Sequence, residues 1–267
     1  MRVGVIMGKA DYWKYYMGFD VPCGGLSVSP KPVRLMDWEK FIPVAYEMLR
    51  LNNELLRKRL KLDESVLLYD YVLDYMIKMS EERFGQEGSF ALVLISSVFS
   101  LCYRLPVEPM LQKKDGDVNL VFKIGDNDED LITRDNYEEI RAMIMEQNLI
   151  FEPIIAPNKK SQDIIDKAIE RKRSSGSNVE TNLESMIILV SKSRPITEDY
   201  TYYQLQADYE MVLRLEQSRA IPTYRAVGAD IDPIELGAIL SIHEDPYSFE
   251  KMFRKNDRSK DAEMLKN

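Results

Sequence analysis

Residues 200–219, with the sequence YTYYQLQADYEMVLRLEQSR, repeat large apolar side chains at helical spacing, which requires a helix with one covered side. The side chains that recur in this way are Tyr202, Leu205, Tyr209, Val212 and Leu213. Tyrosine joins a large apolar ring to a hydroxyl group that keeps a hydrogen bond, and such residues are enriched where proteins touch one another. The pattern therefore predicts either an ordinary core helix or a partner-binding surface formed by Tyr202, Tyr203, Leu205, Tyr209 and Val212.

The overall charge of the chain disfavours nucleic acid as a partner. The 267 residues carry a formal net charge of -8, which repels the phosphate backbone. Basic runs occur at residues 57–59 and 171–173, but each contains only three charges and has acidic residues nearby. Since 45% of the residues are hydrophobic, the chain can bury a sizeable core, and we do not expect a disordered protein.

The cysteines and the longest apolar run bear on the compartment. Cys23 and Cys102 are far apart in the sequence and form no CxxC pair, which predicts reduced thiols in a protein made inside a cell. Residues 90–103 are apolar but too short to span a bilayer, which needs about 20 residues. Charges near the N-terminus interrupt any signal-peptide pattern. We therefore expect no membrane partner.

Alternating helical and turn-forming segments predict a mainly α protein of the α+β class. It is expected to contain a helical domain with one small β-hairpin, a flexible joint and a C-terminal helical region. The expected divisions are an irregular N-terminal segment at 1–37, a helical domain at 38–156, a charged flexible linker at 157–180, a C-terminal helical region at 181–253 and a charged tail at 254–267.

The first helices have recognisable start and stop signals. Asp37 is the expected N-cap of a helix that runs from residue 38 to about residue 62. A second helix over residues 65–83 is expected to end at Gly85 and Gly88, because glycine readily adopts the left-handed conformation found after helices. The apolar segment 90–103 is expected to form a buried helix or strand.

A hairpin and a capped helix are expected next. Pro106 and Pro109 should stop regular structure, and residues 118–132 should form a strand, an acidic turn and a short return strand. Asp135 and Glu138 have the spacing of a capping box, which predicts a helix start.

Prolines and charged runs divide the C-terminal half. The expected elements, in chain order, are a charged helix at 159–173, a flexible joint at 174–178, a helix at 182–191, a helix-start signal at 197–199, a looser region around Pro222 and Pro233, and a short apolar helix at 234–242.

The sequence contains no recognisable catalytic, cofactor-binding or metal-binding constellation. Asp126, Asp128 and Asp130 imitate the start of a calcium loop, but Leu131 and Tyr137 stand where glycine and glutamate are needed. We therefore expect a solvated turn. The single histidine, His243, is expected at the surface near a helix end. An enzyme with a carboxylate pair that is visible only in three dimensions stays open as an alternative.

Several segments, taken in their order along the chain, resemble a divergent set of tail and baseplate assembly proteins of tailed bacteriophages. The segments are PVRLMDWEKF at 32–41, LITRDNYEEI at 131–140, QNL at 147–149, NLESMI at 182–187 and YTYYQL at 200–205. They are similar to a proline followed by a D-W/Y-x-x-F helix, an acidic hairpin leading to a Y-x-x-I helix, and L-x-S-M-I and Y-Y-Q-L helices. The match covers about residues 30–220, and residues 1–30 have no counterpart.

This resemblance implies a protein that has no catalytic residues and acts through protein–protein contacts. The implied partners are other phage tail and baseplate proteins, the implied location is the virion, and synthesis would take place in the host cytoplasm. Homo-oligomerisation also stays open. The alternatives are a transient tail assembly chaperone that is absent from the virion, the enzyme with a carboxylate pair, and a nucleic-acid adaptor that uses the basic runs.

Overall fold

The computed structural model describes residues 12–51, 67–85, 88–114, 117–152, 154–156, 158–175, 182–228, 230–234, 236 and 241–245. These residues form a mainly α-helical protein with a small antiparallel sheet, as the sequence predicts. The helices are α1 (Tyr12–Met17), α2 (Trp38–Leu49), α3 (Leu68–Phe84), α4 (Gly88–Tyr103), α5 (Tyr137–Gln147), α6 (Lys159–Ser175), α7 (Leu183–Ser191) and α8 (Tyr202–Ala226). The strands are β1 (Val107–Lys114), β2 (Asp117–Ile124) and β3 (Leu131–Ile132), and short 3-10 turns occupy Leu35–Asp37 and Ser241–His243.

The larger hydrophobic core surrounds α4, the apolar segment whose helical or extended form the sequence left open. It is a helix, and it packs against α2, α3 and β1. Ile95, Phe99 and Cys102 are almost completely buried on it. The Phe99 ring lies 5.7 Å from the ring of Phe122 in β2, which joins helix and sheet in one core.

A smaller core lies between α7 and α8. It contains Met186 and Val190 from α7, Leu205 from α8 and Tyr200 from the preceding loop. Tyr203, two residues before Leu205, belongs to the larger core instead. One turn of α8 therefore contributes to both cores and connects them.

The N-terminal segment is more ordered than the sequence predicts. The expectation that residues 1–37 are irregular is wrong for α1, where Tyr15 is 1% exposed. Val33 accepts a hydrogen bond from the Tyr202 backbone N–H at 3.1 Å, and its own N–H donates to the Asn148 side chain at 2.9 Å. Gly24 has a φ of +63°, and a Cβ there would approach Ile140 to 2.9 Å, so this close passage over α5 requires glycine.

The sheet contains the predicted hairpin and one additional strand. β2 and β3 match the expected strand and return strand, whereas the expectation that Pro109 stops regular structure is wrong, because Pro109 lies within β1. Among the described strands, β1 lies at the edge of the sheet and pairs with β2. The Gly125 N–H donates to the Pro106 carbonyl at 2.8 Å, so the alternating pattern leaves the backbone of Val107 and Pro109 facing away from β2. Proline is tolerated there because no ladder bond needs its missing N–H.

Helix starts are correctly located but differ in their caps. Asp37 is the N-cap residue of α2, yet its carboxylate makes no capping bond and accepts from Arg34 at 3.0 Å. The predicted capping box of Asp135 and Glu138 is wrong: Asn136 is the N-cap of α5, and it makes no side-chain capping bond. The Asn136 amide instead donates to the carbonyl oxygens of Gly24 and Leu131.

The start of α8 lies slightly after the predicted signal at 197–199. Thr201 is its N-cap, and Thr201 and Gln204 form a capping box in which each side chain accepts from the backbone N–H of the other. Pro222 lies inside this helix, which continues to Ala226, so the expectation of a loose region there is wrong. A proline removes one backbone bond from a helix without forbidding its continuation.

Two predicted ends are settled by the structure. α3 ends at Gly85, whose φ of +61° confirms the expected glycine stop, whereas Gly88 begins α4 and is not a stop. α2 ends at Leu49, so the helix predicted to reach residue 62 is too long. Helices α6 and α7 occur at the predicted positions.

Several expectations fall outside the described residues. They concern residues 1–11 of the N-terminal segment, residues 176–178 of the joint, most of the helix at 234–242 and the tail at 254–267. Within the described part, no helix combines the length and the apolar character that crossing a membrane requires.

Candidate functional site

The predicted contact residues of α8 face the interior to different degrees. Tyr203 and Leu205 are 2% and 0% exposed, so in this structure they fill the cores, which is the alternative that the sequence left open. Tyr202, Tyr209 and Val212 are partly buried. The Tyr202 ring stacks on Trp38 of α2 at a centroid distance of 3.6 Å. Most of the aromatic surface of this helix therefore packs against other parts of the same chain.

Tyr203 connects α8 to the N-terminal helix and to His243. Its ring meets the Tyr15 ring edge-on at 5.9 Å. Its hydroxyl oxygen lies 2.9 Å from Nε2 of His243 and 3.3 Å from the carbonyl oxygen of Tyr12. A residue that was a candidate for partner binding is thus a buried link between three separate segments.

A polar cluster beside this link fixes the approach of α1 to α8. Asp208 accepts hydrogen bonds from the hydroxyl of Tyr16 at 2.7 Å, from Arg194 at 2.8 Å and from the hydroxyl of Tyr200. The Arg194 guanidinium also lies over the Tyr200 ring, 5.4 Å from its centroid. Burial and the bond to Asp208 raise the pKa of Tyr16 to about 12, so its hydroxyl stays protonated and donates to the carboxylate. Because these hydrogen bonds join α1, α8 and the residues between α7 and α8, they favour a structural role for the cluster.

A cleft of about 300 Å³ opens between the C-terminal end of α5, Tyr12 and His243. His243 is half-buried, which corrects the expectation of a surface histidine, and its ring stacks on Tyr12 at 3.5 Å. Burial lowers its pKa to about 4, against a smaller opposing effect of Glu210. The histidine is therefore neutral at pH 7.

Two glutamates line the same cleft. Glu146 accepts from the Tyr15 hydroxyl at 3.0 Å, and burial raises its pKa above the ordinary value, while hydrogen bonds from Tyr15 and Tyr12 lower it. Glu152 accepts from Arg141 of α5 at 2.7 Å. The wall between them is mainly apolar and includes Phe151. The cleft thus combines an apolar surface with a carboxylate whose hydrogen-bond donors are neutral hydroxyl groups.

The aspartates of the acidic turn between β2 and β3 form hydrogen bonds and an ion pair with nearby residues. Asp130 is 2% exposed and accepts from the Ser27 backbone N–H at 2.6 Å and from the Asn127 amide at 2.8 Å. Although burial raises the pKa of Asp130, these hydrogen bonds hold it below its ordinary value. Asp128 turns away and pairs with Lys123. In the described part of the chain, no group of three or more His, Cys, Asp or Glu residues is placed to hold a metal ion.

The outer side of α1 and the following turn carry an exposed aromatic patch. Trp13, Met17 and Phe19 are 54%, 61% and 52% exposed, and the rings of Trp13 and Phe19 meet edge-on at 5.5 Å. The opposite side of the same helix holds the buried Tyr15. The sequence carries a signal for this patch, because Trp13 and Met17 are four residues apart on a helix, but the expectation of an irregular segment at 1–37 did not include this helix.

Cys23 and Cys102 are free, as the sequence predicts, and the structure shows that both are buried. The basic run at 57–59 lies outside the described residues. The run at 171–173 lies in α6, and only the backbone of these three residues is described.

Comparisons with protein-family models, with curated proteins and with solved structures found no match for this chain.

Proposed function

We propose that the protein is a non-enzymatic tail or baseplate component of a tailed bacteriophage, made in the host cytoplasm and incorporated into the virion, that acts by contacting other tail proteins. The phage assignment is supported by the resemblance of several segments between residues 32 and 205, taken in their order along the chain. The structural observation that supports a contact function is the aromatic patch of Trp13, Met17 and Phe19. Three large apolar side chains, each more than half exposed within seven residues, form the kind of surface that proteins bury on association.

The aromatic patch is the surface to test first, before the predicted contact residues of α8. Affinity-tagged protein is used to capture the tail proteins of its own phage, and the yield is compared with that of the Trp13→Ala, Phe19→Ala double variant. We expect the double variant to lose most of the captured protein, because buried aromatic anchors carry a large share of binding energy at interfaces. Tyr224→Ala is the matched control, since Tyr224 is an aromatic residue of similar exposure, 53%, on α8.

A tail protein captured equally by all three proteins would contradict the role of this patch. Circular dichroism and thermal unfolding of each variant establish that the fold is retained. If wild-type protein captures no tail protein and stays monomeric at all concentrations, the proposed function itself fails.

A transient tail assembly chaperone is the alternative within the same class. It would use the same contact surface but leave before the particle is complete. Mass spectrometry of purified virions separates the two: peptides of this chain at a fixed ratio to other tail proteins support a component, and their absence from particles that form with its help supports a chaperone.

An enzyme that uses the cleft is the second candidate function, because Glu146, Glu152 and His243 line one opening. Each of them is engaged by another side chain, which favours a structural role. Chromogenic nitrophenyl esters, phosphates and glycosides test this candidate. Turnover that Glu146→Gln abolishes would replace the structural proposal.

A further inference from the structure

The cleft formed by Tyr12, His243 and the end of α5 has a shape and lining that suit a long side chain. Its volume of about 300 Å³ is at the lower limit of small-molecule sites. Its apolar wall is formed by Ala142, Met145, Leu149, Ile150 and Phe151. The carboxylates of Glu146 and Glu152 stand beside this wall, so an occupant with an apolar stem and a polar end matches both parts.

The charge in the cleft is negative and incompletely balanced. Glu146 is partly buried and is held by tyrosine hydroxyls, which carry no charge. Among the residues that the structure describes, no lysine or arginine forms an ion pair with it. The cleft also lies at the C-terminal end of α5, where the helix dipole is negative. The electrostatic attraction between a cation and the Glu146 carboxylate would be stronger in the cleft than in open water, because the surroundings are less polar.

The neighbouring groups do not oppose a cation. His243 is neutral at pH 7 and therefore adds no positive charge. The face of Tyr12 is occupied by the His243 ring, but the Tyr12 hydroxyl and the apolar wall remain part of the lining. A metal ion fits less well, because hard cations need several oxygen ligands and the apolar wall supplies none.

We propose that this cleft receives the lysine or arginine side chain of a partner polypeptide, with the aliphatic stem against Met145 and Phe151 and the charged end at Glu146. Long basic side chains bury their stems and keep their charged ends hydrogen-bonded, which is the combination that the lining provides. The net charge of -8 on the chain further favours a basic partner. This inference rests on the proposed contact function and specifies the chemistry of one contact.

The isolated full-length protein tests the proposal without the natural partner. The probes are N-acetyl-lysine methylamide and N-acetyl-arginine methylamide, and the neutral probe is N-acetyl-citrulline methylamide. Backbone amide shifts of isotopically labelled protein are followed by NMR during each titration. We expect saturable shifts at Tyr12, Phe151 and His243 with the cationic probes, and binding of the neutral probe weaker by about tenfold or more, because a charge-assisted bond is lost.

Two variants and one control locate the binding. Glu146→Gln removes the charge but retains an acceptor for the tyrosine hydroxyls, and we expect it to weaken cation binding by about tenfold. Ala142→Leu narrows the cleft from an exposed position of α5 and should reduce binding without any change of charge. Glu139→Gln removes a carboxylate exposed on the same helix and should leave binding unchanged.

The proposal is overturned if the cationic probes give no saturable shifts, if the citrulline probe binds equally well, or if both cleft variants bind the cations as the wild type does. Should Glu146→Gln fail to fold, Ala142→Leu still decides the outcome. Capture of tail proteins that is unaffected by either cleft variant would overturn the cleft assignment alone and leave the proposed contact function standing.

Discussion

Tyr203 distinguishes a core helix from an exposed contact helix, because the two interpretations of α8 predict opposite effects of one substitution. The side chain is 2% exposed, its ring packs against Tyr15, and its hydroxyl lies 2.9 Å from Nε2 of His243. If it is a core residue, Tyr203→Ala removes buried ring surface and leaves a cavity. If it is an interface residue, the same change weakens binding and leaves the free energy of unfolding nearly unchanged.

The structure sets the expected magnitudes for the core interpretation. Large-to-small substitution of a buried aromatic residue costs about 3–5 kcal/mol, and we expect Tyr203→Ala to lie in this range. Tyr203→Phe keeps the ring and removes only the hydroxyl. It leaves Nε2 of His243 without this hydrogen-bond partner, which should cost about 1 kcal/mol because water reaches the half-buried histidine.

The assay is equilibrium unfolding in urea, followed by circular dichroism at 222 nm. Tyr224→Ala, an exposed aromatic-to-alanine change on the same helix, is the control and should shift the free energy of unfolding by less than about 0.5 kcal/mol. A destabilisation of Tyr203→Ala smaller than about 1 kcal/mol would refute the reasoning. If Tyr203→Ala caused only this small destabilisation and also abolished the capture of tail proteins, Tyr203 would be assigned to the contact surface.

Three further predictions concern the groups around this link. Asp208→Ala should lower the free energy of unfolding by about 2–3 kcal/mol, since it removes the common acceptor of two tyrosine hydroxyls and a guanidinium, and Asp208→Asn should cost less; urea titration measures both. The folded-state pKa of His243 is about 4, below its ordinary 6.5, so the unfolded chain binds the proton first and stability falls as the pH drops from 6.5 towards 4. This loss should be about 1–2 kcal/mol after allowance for partial solvent exposure, and urea titrations at pH 7.5 and 4.5 should show a correspondingly shallower loss for His243→Gln. The thiols of Cys23 and Cys102 should react with a disulfide reagent only after unfolding, because burial raises the pKa of each; labelling of Cys23 in the native protein within minutes would contradict this.

Local sequence signals predicted the positions of the helices more accurately than they predicted the residues that cap them. Gly85 ends α3 as expected, because the left-handed conformation needed there is a property of a single residue. The cap of α5 could not be chosen in the same way. Asp135 and Asn136 are both suitable capping residues, and the decision depends on Asn136 reaching Gly24, a contact across more than a hundred residues of chain.

β1 was missed because a rule for central strands was applied to an edge strand. Pro109 cannot donate a ladder bond, which excludes it from a central strand but not from an outward-facing position on the edge. Which edge faces outward is a property of the sheet, not of the residue. Pro222 is a different case, because it removes one backbone hydrogen bond from α8, and the helix nevertheless continues for four residues to Ala226.

The candidate sites show a similar division. The sequence identified α8 as an aromatic helix but could not assign its sides, because periodicity reveals that one side is covered and not what covers it. The exposed patch of Trp13, Met17 and Phe19 and the cleft around Glu146 were both missed. The spacing of Trp13 and Met17 does not show whether that side of the helix is covered or exposed. The cleft has no spacing motif, because it collects residues from three separate parts of the chain.

The sequence alone determined the mainly α architecture, the positions of most helices, the hairpin and the free thiols, because propensity, periodicity and turn chemistry act over a few neighbouring residues. Only the tertiary structure decided that Tyr203 is buried, that His243 is half-buried and neutral, and that Glu146 lines a cleft without a basic partner among the described residues. Burial and the balance of charge depend on which distant segments pack together, and this packing is set by the whole chain.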